Sequence, residues 1–186
     1  RFREKYPAIR IYIVQASPEQ LVDQLHAHKA DIAICTERVN DDVDLVTQQC
    51  YEWHHAAVMP KGHPLCENEL TYARLTSFPI LTYSFGFTGR SAIERAFQQS
   101  GTQLDVILAA ADTDVIKTYV RMNMGIGIIA RMAYDVHNDQ DLVIRDLSHL
   151  IPKSITKIAY LKQNYLPLYC QHFIAELLLA AKQIKA

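Results

Sequence analysis

Short apolar runs alternate with amphipathic helical segments along most of this 186-residue chain. Continuous runs of β-branched and apolar residues are typical of strands buried on both faces, and a strand, helix, strand order implies parallel pairing. Such runs occupy residues 31–35, 80–83, 106–110 and 126–130. Helical spacing of apolar positions appears in residues 90–99 and in a segment that Asp112 or Thr113 would cap. The alternation predicts an α/β fold.

The first 35 residues predict a strand, a helix and a second strand. Residues 8–14 are β-branched and aromatic, which favours a strand. The sequence Ser17-Pro18-Glu19-Gln20 is a capping box with proline at the first helical position, and the helix should run to about His28. We therefore expect residues 8–14 and 31–35 to pair in parallel.

The remaining elements predict a second α/β lobe followed by a return to the first. A long strand-like run at 45–59 is interrupted by the polar and aromatic cluster 49–55, which we interpret as a crossover. A short helix is expected at 71–76, strands at 142–147 and 155–162, and a closing helix at 168–184. The chain should cross between lobes near 51–53 and near 150–154. This assigns 1–52 plus 153–186 to lobe I and 53–152 to lobe II.

Composition limits the class of protein. Apolar residues make up 49% of the chain and charged residues 21%, which supports a buried core, and a net charge of −1 argues against a broad nucleic-acid footprint. No apolar run is long enough to span a bilayer, and the start does not resemble a secretory signal. The four cysteines lack C-x-x-C spacing, so we expect reduced thiols and a cytoplasmic protein.

The sequence from Ser84 to Ser91 is rich in hydroxyls and glycines and leads from a predicted strand into a predicted helix. Unpaired N–H groups at a helix start favour an anion, so Ser84, Thr88, Gly89 and Arg90 could cradle a sulfate, phosphate or carboxylate. An ordinary N-cap is the alternative interpretation. Neutral donors would suffice to hold a small anion there.

Two further groups are candidates for the same site. Thr36 ends the predicted strand 31–35, and ligands of open α/β sheets bind at the carboxyl ends of strands, which here would face the cleft between lobes. Tyr51 and Trp53 are two residues apart on one strand face and could form a wall of that cleft. A packed aromatic pair at a hinge explains these two residues equally well.

Several chemical motifs are excluded. Gly125-x-Gly127-x-x-Ala130 follows a predicted helix and opens a strand, the reverse of a dinucleotide fingerprint. Adjacent His54 and His55 on a strand point to opposite faces, so they cannot chelate one metal ion. No catalytic motif stands out by position. We therefore predict no catalytic residues, no metal ligands, no cofactor and no enzyme activity.

The residues resemble the effector-binding domain of LysR-type transcriptional regulators, and the CysB-type subgroup within that family. The likeness covers nearly the whole chain. The general family features lie in 2–7, 30–34 and 124–129, and the subgroup features are Thr36-Glu37, Cys50-Tyr51-Glu52-Trp53, Phe85-Gly86-Phe87-Thr88-Gly89-Arg90-Ser91 and residues 113–120.

The resemblance implies two Rossmann-like lobes joined by two crossover strands, as in type 2 periplasmic binding proteins. It implies a regulator of sulfur assimilation and cysteine biosynthesis that responds to sulfate or a related anion, or to an acetylserine-type inducer. By motif match, Thr36 and Thr88 line the effector cleft, with Tyr51 and Trp53 beside them. Homodimers or homotetramers are expected, without membrane contact.

The same resemblance implies features that lie outside this sequence. A Thr-Thr-His-Thr-Gln segment, the first strand of lobe I and an N-terminal helix-turn-helix would precede Arg1, so DNA binding is expected only through that missing domain. A periplasmic solute-binding protein for a small anion is the alternative, because its fold is the same. An α/β enzyme is a third interpretation, which no motif supports.

Overall fold

A computed structural model describes residues 1–36, 42–87 and 89–182. The helices are α1 (Phe2–Lys5), α2 (Pro18–His26), α3 (Tyr72–Leu75), α4 (Arg90–Gln99), α5 (Thr113–Arg121) and α6 (Leu168–Ala181). The strands are β1 (Ala33–Cys35), β2 (Leu45–Trp53), β3 (His55–Pro60), β4 (Ile80–Tyr83), β5 (Val106–Ala110), β6 (Ile126–Ala130), β7 (Leu142–Asp146) and β8 (Ser154–Leu161). The predicted α/β fold class is confirmed.

The chain divides into two compact units. Unit 1 consists of Arg1–Glu52 and Ile155–Ala186, and unit 2 consists of Trp53–Ser154. The sequence placed the second boundary between residues 152 and 153. Both β2 and β8 pass a boundary, since Trp53 ends β2 and Ser154 begins β8.

Unit 1 contains a three-stranded sheet in the order β1, β8, β2. The predicted capping box starts α2: Gln20 N donates to Ser17 Oγ at 3.3 Å, and Ser17 N donates to Gln20 Oε1 at 3.0 Å. Leu25 of α2 is buried against the sheet with Ala33 of β1 and Ala159 of β8. In the same unit, the ring of Phe2 in α1 packs edge-on against Phe173 of α6, with 5.0 Å between centroids.

The predicted strand at 8–14 and its parallel partner are wrong. Residues 9–17 carry no regular secondary structure, and β1 pairs antiparallel with β8, with Ala33 opposite Ala159. Residues 10–15 of this segment are exposed, Ile13 to 92%. A strand needs a neighbour for its N–H and C=O groups, and within the described residues no strand pairs with residues 9–17.

Unit 2 contains a five-stranded sheet in the order β5, β4, β6, β3, β7. Strand β4 is parallel to β5 and to β6, as the alternation predicts, while β3 is antiparallel to β6 and β7. Apolar side chains cover both faces of the sheet. One buried cluster includes Ile80, Ile93, Phe97, Ile126 and Leu147, and the other includes Val58, Leu81, Tyr83, Ile116 and Ile129.

This topology brings three strand ends to one edge of the sheet. Tyr83 at the end of β4 lies opposite Ala110 at the end of β5, and Ser84 N donates to Ala110 O at 3.0 Å. Strand β6 ends at Ala130 on the same side, where its N–H reaches the Tyr83 hydroxyl. The loops that follow β4, β5 and β6 therefore begin side by side.

A buried ionic network fixes α5 to the segment before β7. Asp139 is only 2% exposed and accepts hydrogen bonds from Lys117 Nζ at 2.9 Å, Arg121 Nη2 at 2.7 Å and Asp135 N at 2.9 Å. Burial by itself raises the pKa of Asp139, but the Asp135 N–H, Lys117 and Arg121 outweigh it and hold the pKa below its ordinary value.

Replacing this carboxylate should destabilise unit 2. Asp139→Asn leaves two cations facing a neutral amide, and removing one partner of a buried pair costs about 3 kcal/mol. Urea unfolding measures this loss. The matched control is Asp141→Asn, because Asp141 also bonds to Arg121, at 2.7 Å, but is half exposed and should cost less than about 1 kcal/mol. Equal losses in the two variants would contradict the ranking.

The lowered pKa of Asp139 predicts that the free energy of unfolding depends on pH. A folded-state pKa below the unfolded value means that the stabilisation is complete above the unfolded pKa, about 3.9, and is lost as the pH falls through the lower folded value. The difference in unfolding free energy between the native protein and Asp139→Asn should therefore be constant near neutral pH and shrink below about pH 4. A difference that grows on acidification would contradict the assignment.

Candidate functional site

The turn from Ser84 to Gly89 leaves the end of β4 and leads into α4. Phe87 N donates to Ser84 O at 3.1 Å, and Arg90 N donates to Phe87 O at 2.9 Å. Gly86 and Gly89 both have positive φ, 79° and 72°, which glycine adopts without steric cost. Gly89 is the N-cap of α4. Thr88, which the sequence also assigns to this turn, lies outside the described residues.

Arg90 stabilises the turn with its side chain. Arg90 is 3% exposed, and its guanidinium donates to Tyr83 O at 2.7 Å through Nη1 and forms an ion pair with Glu94. Its Cζ atom also lies 4.5 Å from the centroid of the exposed Phe85 ring, within cation–π distance. These contacts fix Arg90 between the end of β4, the turn and the first turns of α4.

Tyr83 connects the three strand ends. Its hydroxyl accepts from Ala130 N at 3.0 Å and lies 2.7 Å from Thr113 Oγ1 in the first turn of α5. Its carbonyl accepts from Arg90. Burial raises the pKa of the Tyr83 phenol, so the hydroxyl stays protonated at neutral pH. One residue thereby holds the starts of α4 and α5 against the end of β6.

Gly89 lies directly against His55 and Ser154. A Cβ atom at position 89 would be 2.9 Å from His55 Cε1, so that one of the two must shift, and it would be in tight contact, 3.0 Å, with Ser154 Oγ. His55 is fully buried, and its ring centroid lies 4.7 Å from that of Trp53, which is 3% exposed. The structure thus brings Trp53 and Gly89, two of the predicted site residues, against one imidazole in unit 2.

The other predicted site residues belong to unit 1. Thr36 follows the last residue of β1 and is half-buried. Tyr51 is a half-buried residue of β2, two positions before Trp53. The described residues therefore include six of the seven predicted positions: Thr36 and Tyr51 in unit 1, and Trp53, Ser84, Gly89 and Arg90 in unit 2.

Sequence reasoning missed His55 and Tyr83. The alternation of side chains along a strand correctly separates His54, whose Nε2 lies 3.4 Å from Asp146, from the buried His55. Nothing in that alternation identifies Gly89 as the neighbour of His55. Tyr83 reads as one more apolar strand residue, because its hydroxyl partners lie 30 and 47 positions later in the chain.

Across residues 1–36, 42–87 and 89–182, no group of three histidine, cysteine or acidic side chains could hold a metal ion. None of the helices in that same part of the chain combines the length and the apolar character needed to cross a bilayer.

Known proteins that are similar to this chain belong to one family. The family described as LysR substrate binding domain matches residues 1–182. The chain is 43% identical to the HTH-type transcriptional regulator SsuR of Burkholderia cenocepacia over 94% of its length, and 42% identical to the regulator CysB of Haemophilus influenzae over 94%. It spans 57% and 54% of those two proteins, about half of each relative's length.

Solved structures give the same result. The cofactor-binding domain of the Cbl transcriptional regulator superposes with a TM-score of 0.87 at 31% identity, covering 100% of this chain and 80% of that one. The regulatory domain of CcmR from Synechocystis, solved in complex with 2-PG, has a TM-score of 0.86 at 21% identity, covering 100% of this chain and 89% of that one. The second likeness concerns the fold alone.

The close approach of Gly89 to His55 predicts a loss of stability when a side chain is added at position 89. Gly89→Ala forces a Cβ into His55, which should cost about 1–3 kcal/mol of overpacking in addition to the strain of a positive φ. The matched control is Gly101→Ala, because Gly101 has φ 73° but no atom within 4 Å of its would-be Cβ. Urea denaturation of both variants separates the collision from the backbone strain. An equal loss of stability in Gly89→Ala and Gly101→Ala would show that the His55 ring moves aside without cost.

Proposed function

Since this chain belongs to the family of LysR substrate-binding domains, we propose that it is the effector-sensing domain of a CysB-like regulator of sulfur assimilation and cysteine biosynthesis. The ligand would be sulfate or a related small anion, or an acetylserine-type inducer. The relatives are transcriptional regulators, so the alternative of a periplasmic solute-binding protein is not favoured.

The observation that supports effector binding most directly is the fixed turn at the joint edge of three strands. Ser84 and Gly89 lie where β4 ends and α4 begins, at the carboxyl edge of the parallel strands. Ligands of open α/β sheets bind at such edges, and main-chain N–H groups at the start of a helix favour negative charge. Hydroxyl and N–H groups can donate hydrogen bonds to an anionic oxygen.

We assign contact roles by residue type. Ser84, Thr88 and Thr36 would donate hydroxyl hydrogen bonds, and Gly89 would let the ligand approach the main chain. Tyr51 and Trp53 would contact the ligand with their aromatic rings. Arg90 would act by holding the turn, because its guanidinium already bonds to Tyr83 and Glu94.

The remaining features of the proposal concern the longer protein. Relatives of this class act on DNA, and a helix-turn-helix outside this chain would supply that contact. Effector binding would shift the population of domain arrangements and so change how the DNA-binding domains sit. The domain would bind without catalysis, as a cytoplasmic homodimer or homotetramer.

Calorimetric titration with sulfate, acetylserine and adenylyl sulfate tests the proposal. At least one ligand should bind the native domain. Removing one hydroxyl that donates to a charged ligand should weaken binding by about 1.5–3 kcal/mol, roughly ten- to a hundredfold. Thr36→Val, Ser84→Ala and Thr88→Val remove the proposed donors one at a time.

The control is Thr118→Val, which makes the same chemical change on the exposed side of α5, where the hydroxyl bonds to Asp114 O at 2.8 Å. It should leave every titration unchanged. Absence of heat with all three ligands would refute the proposed function. Binding that none of the three donor variants weakens would refute the residue assignment alone.

A further inference from the structure

His55 contacts two of the residues proposed to bind the effector. Its ring packs at 60° to the indole of Trp53, with 4.7 Å between centroids. Its Cε1 and Nε2 atoms lie 2.9 and 3.0 Å from the position that a Cβ of Gly89 would occupy. A single buried side chain therefore contacts an aromatic residue from the end of β2 and the turn that begins α4, which are far apart in sequence.

The main chain of His55 is held on both sides. In the sheet it lies opposite Ala130 of β6, and its carbonyl accepts from Leu147 N at 3.1 Å. Strand β3 sits between β6 and β7, so a shift of His55 would disturb two ladders. Ser154 Oγ also lies 3.0 Å from the same Gly89 position. The imidazole is thus a fixed surface against which the turn rests.

Packed interiors transmit displacement because they leave few voids. If an effector moves Gly89, the His55 ring lies directly in its path, and the ring in turn contacts the indole of Trp53. The reverse also holds, since a reorientation of Trp53 would alter the surface that supports the turn. Energetic coupling of this kind is expected between side chains in direct contact and not between distant ones.

Resting on the proposed function, we propose that His55 is a positioning residue of the effector site. It fixes the position of the Gly89 turn and the orientation of the Trp53 ring. A ligand that binds at the turn therefore changes the surroundings of the indole. It touches no ligand in this scheme. Its role is to couple two groups that do.

Trp53 is the only tryptophan of the sequence, so the tryptophan emission comes from this residue alone. Sulfate should change the Trp53 emission of the native domain. His55→Ala should abolish that change and weaken sulfate binding by about tenfold, the loss expected when a contacting support is removed. His55→Phe, which keeps a flat ring in the same space, should restore the emission change and bring sulfate affinity within about threefold of native.

His54→Ala is the matched control. His54 is the neighbouring histidine, its side chain lies near Asp146 instead of Gly89, and its loss should leave affinity and emission change intact. A purely structural role for His55 would lower the unfolding midpoint in urea without affecting the emission change of the folded protein. Normal sulfate binding with a normal emission change in folded His55→Ala would therefore overturn the inference while leaving the proposed function standing.

A double variant tests the contact between His55 and Gly89 separately from the loss of stability that each single variant causes. Removing the ring makes room at position 89, so His55→Ala combined with Gly89→Ala should lower the urea midpoint by less than the sum of the two single changes. Additive losses would overturn the inference.

If His55→Ala does not fold, His55→Phe decides, because a folded His55→Phe without an emission change would also overturn it. Absence of sulfate, acetylserine and adenylyl sulfate binding in the native domain would instead overturn the proposed function, and this inference with it.

Discussion

Burial of β4 on both faces is the constraint on which the candidate site depends. Ile80 packs into one apolar cluster of unit 2, and Leu81 and Tyr83 pack into the other. A slip of one residue would exchange these faces and bury the wrong set of side chains, so the register is strongly specified. The end of β4, and with it the start of the Ser84 turn, is therefore fixed by the core and not by the turn itself.

Much of unit 2 could be predicted because its signals are local. The alternation of apolar and helical segments predicted the parallel pairing of β4 with β5 and β6, and the helical spacing of apolar residues in 90–99 predicted α4 at the bounds that the structure has. The capping box at Ser17 is equally local and equally correct. In each case the residues that determine the element lie within it or next to it, so the sequence pattern contains the information.

The failures involve partners that are distant in sequence. The composition of residues 8–14 favours a strand, but composition does not reveal whether another strand lies alongside. Strand β1 pairs with β8, which follows more than a hundred residues later, and no periodicity indicates that choice. The same limit applies to the candidate site. The hydroxyl partners of Tyr83 and the contact of His55 with Gly89 arise only when the sheet of unit 2 is assembled.

The placement of Arg90 bears on what the proposed site can distinguish. A guanidinium free to face the ligand would favour anions by net charge and would make binding strongly dependent on salt. Here the guanidinium is buried against Tyr83 and paired with Glu94. The proposed donors are then hydroxyls and N–H dipoles, which recognise an oxygen by direction and distance. Such donors suit the oxygens of sulfate and the carboxylate of an acetylserine-type molecule alike, although the net charges of these ligands differ. Discrimination between them would rest on the shape of the site.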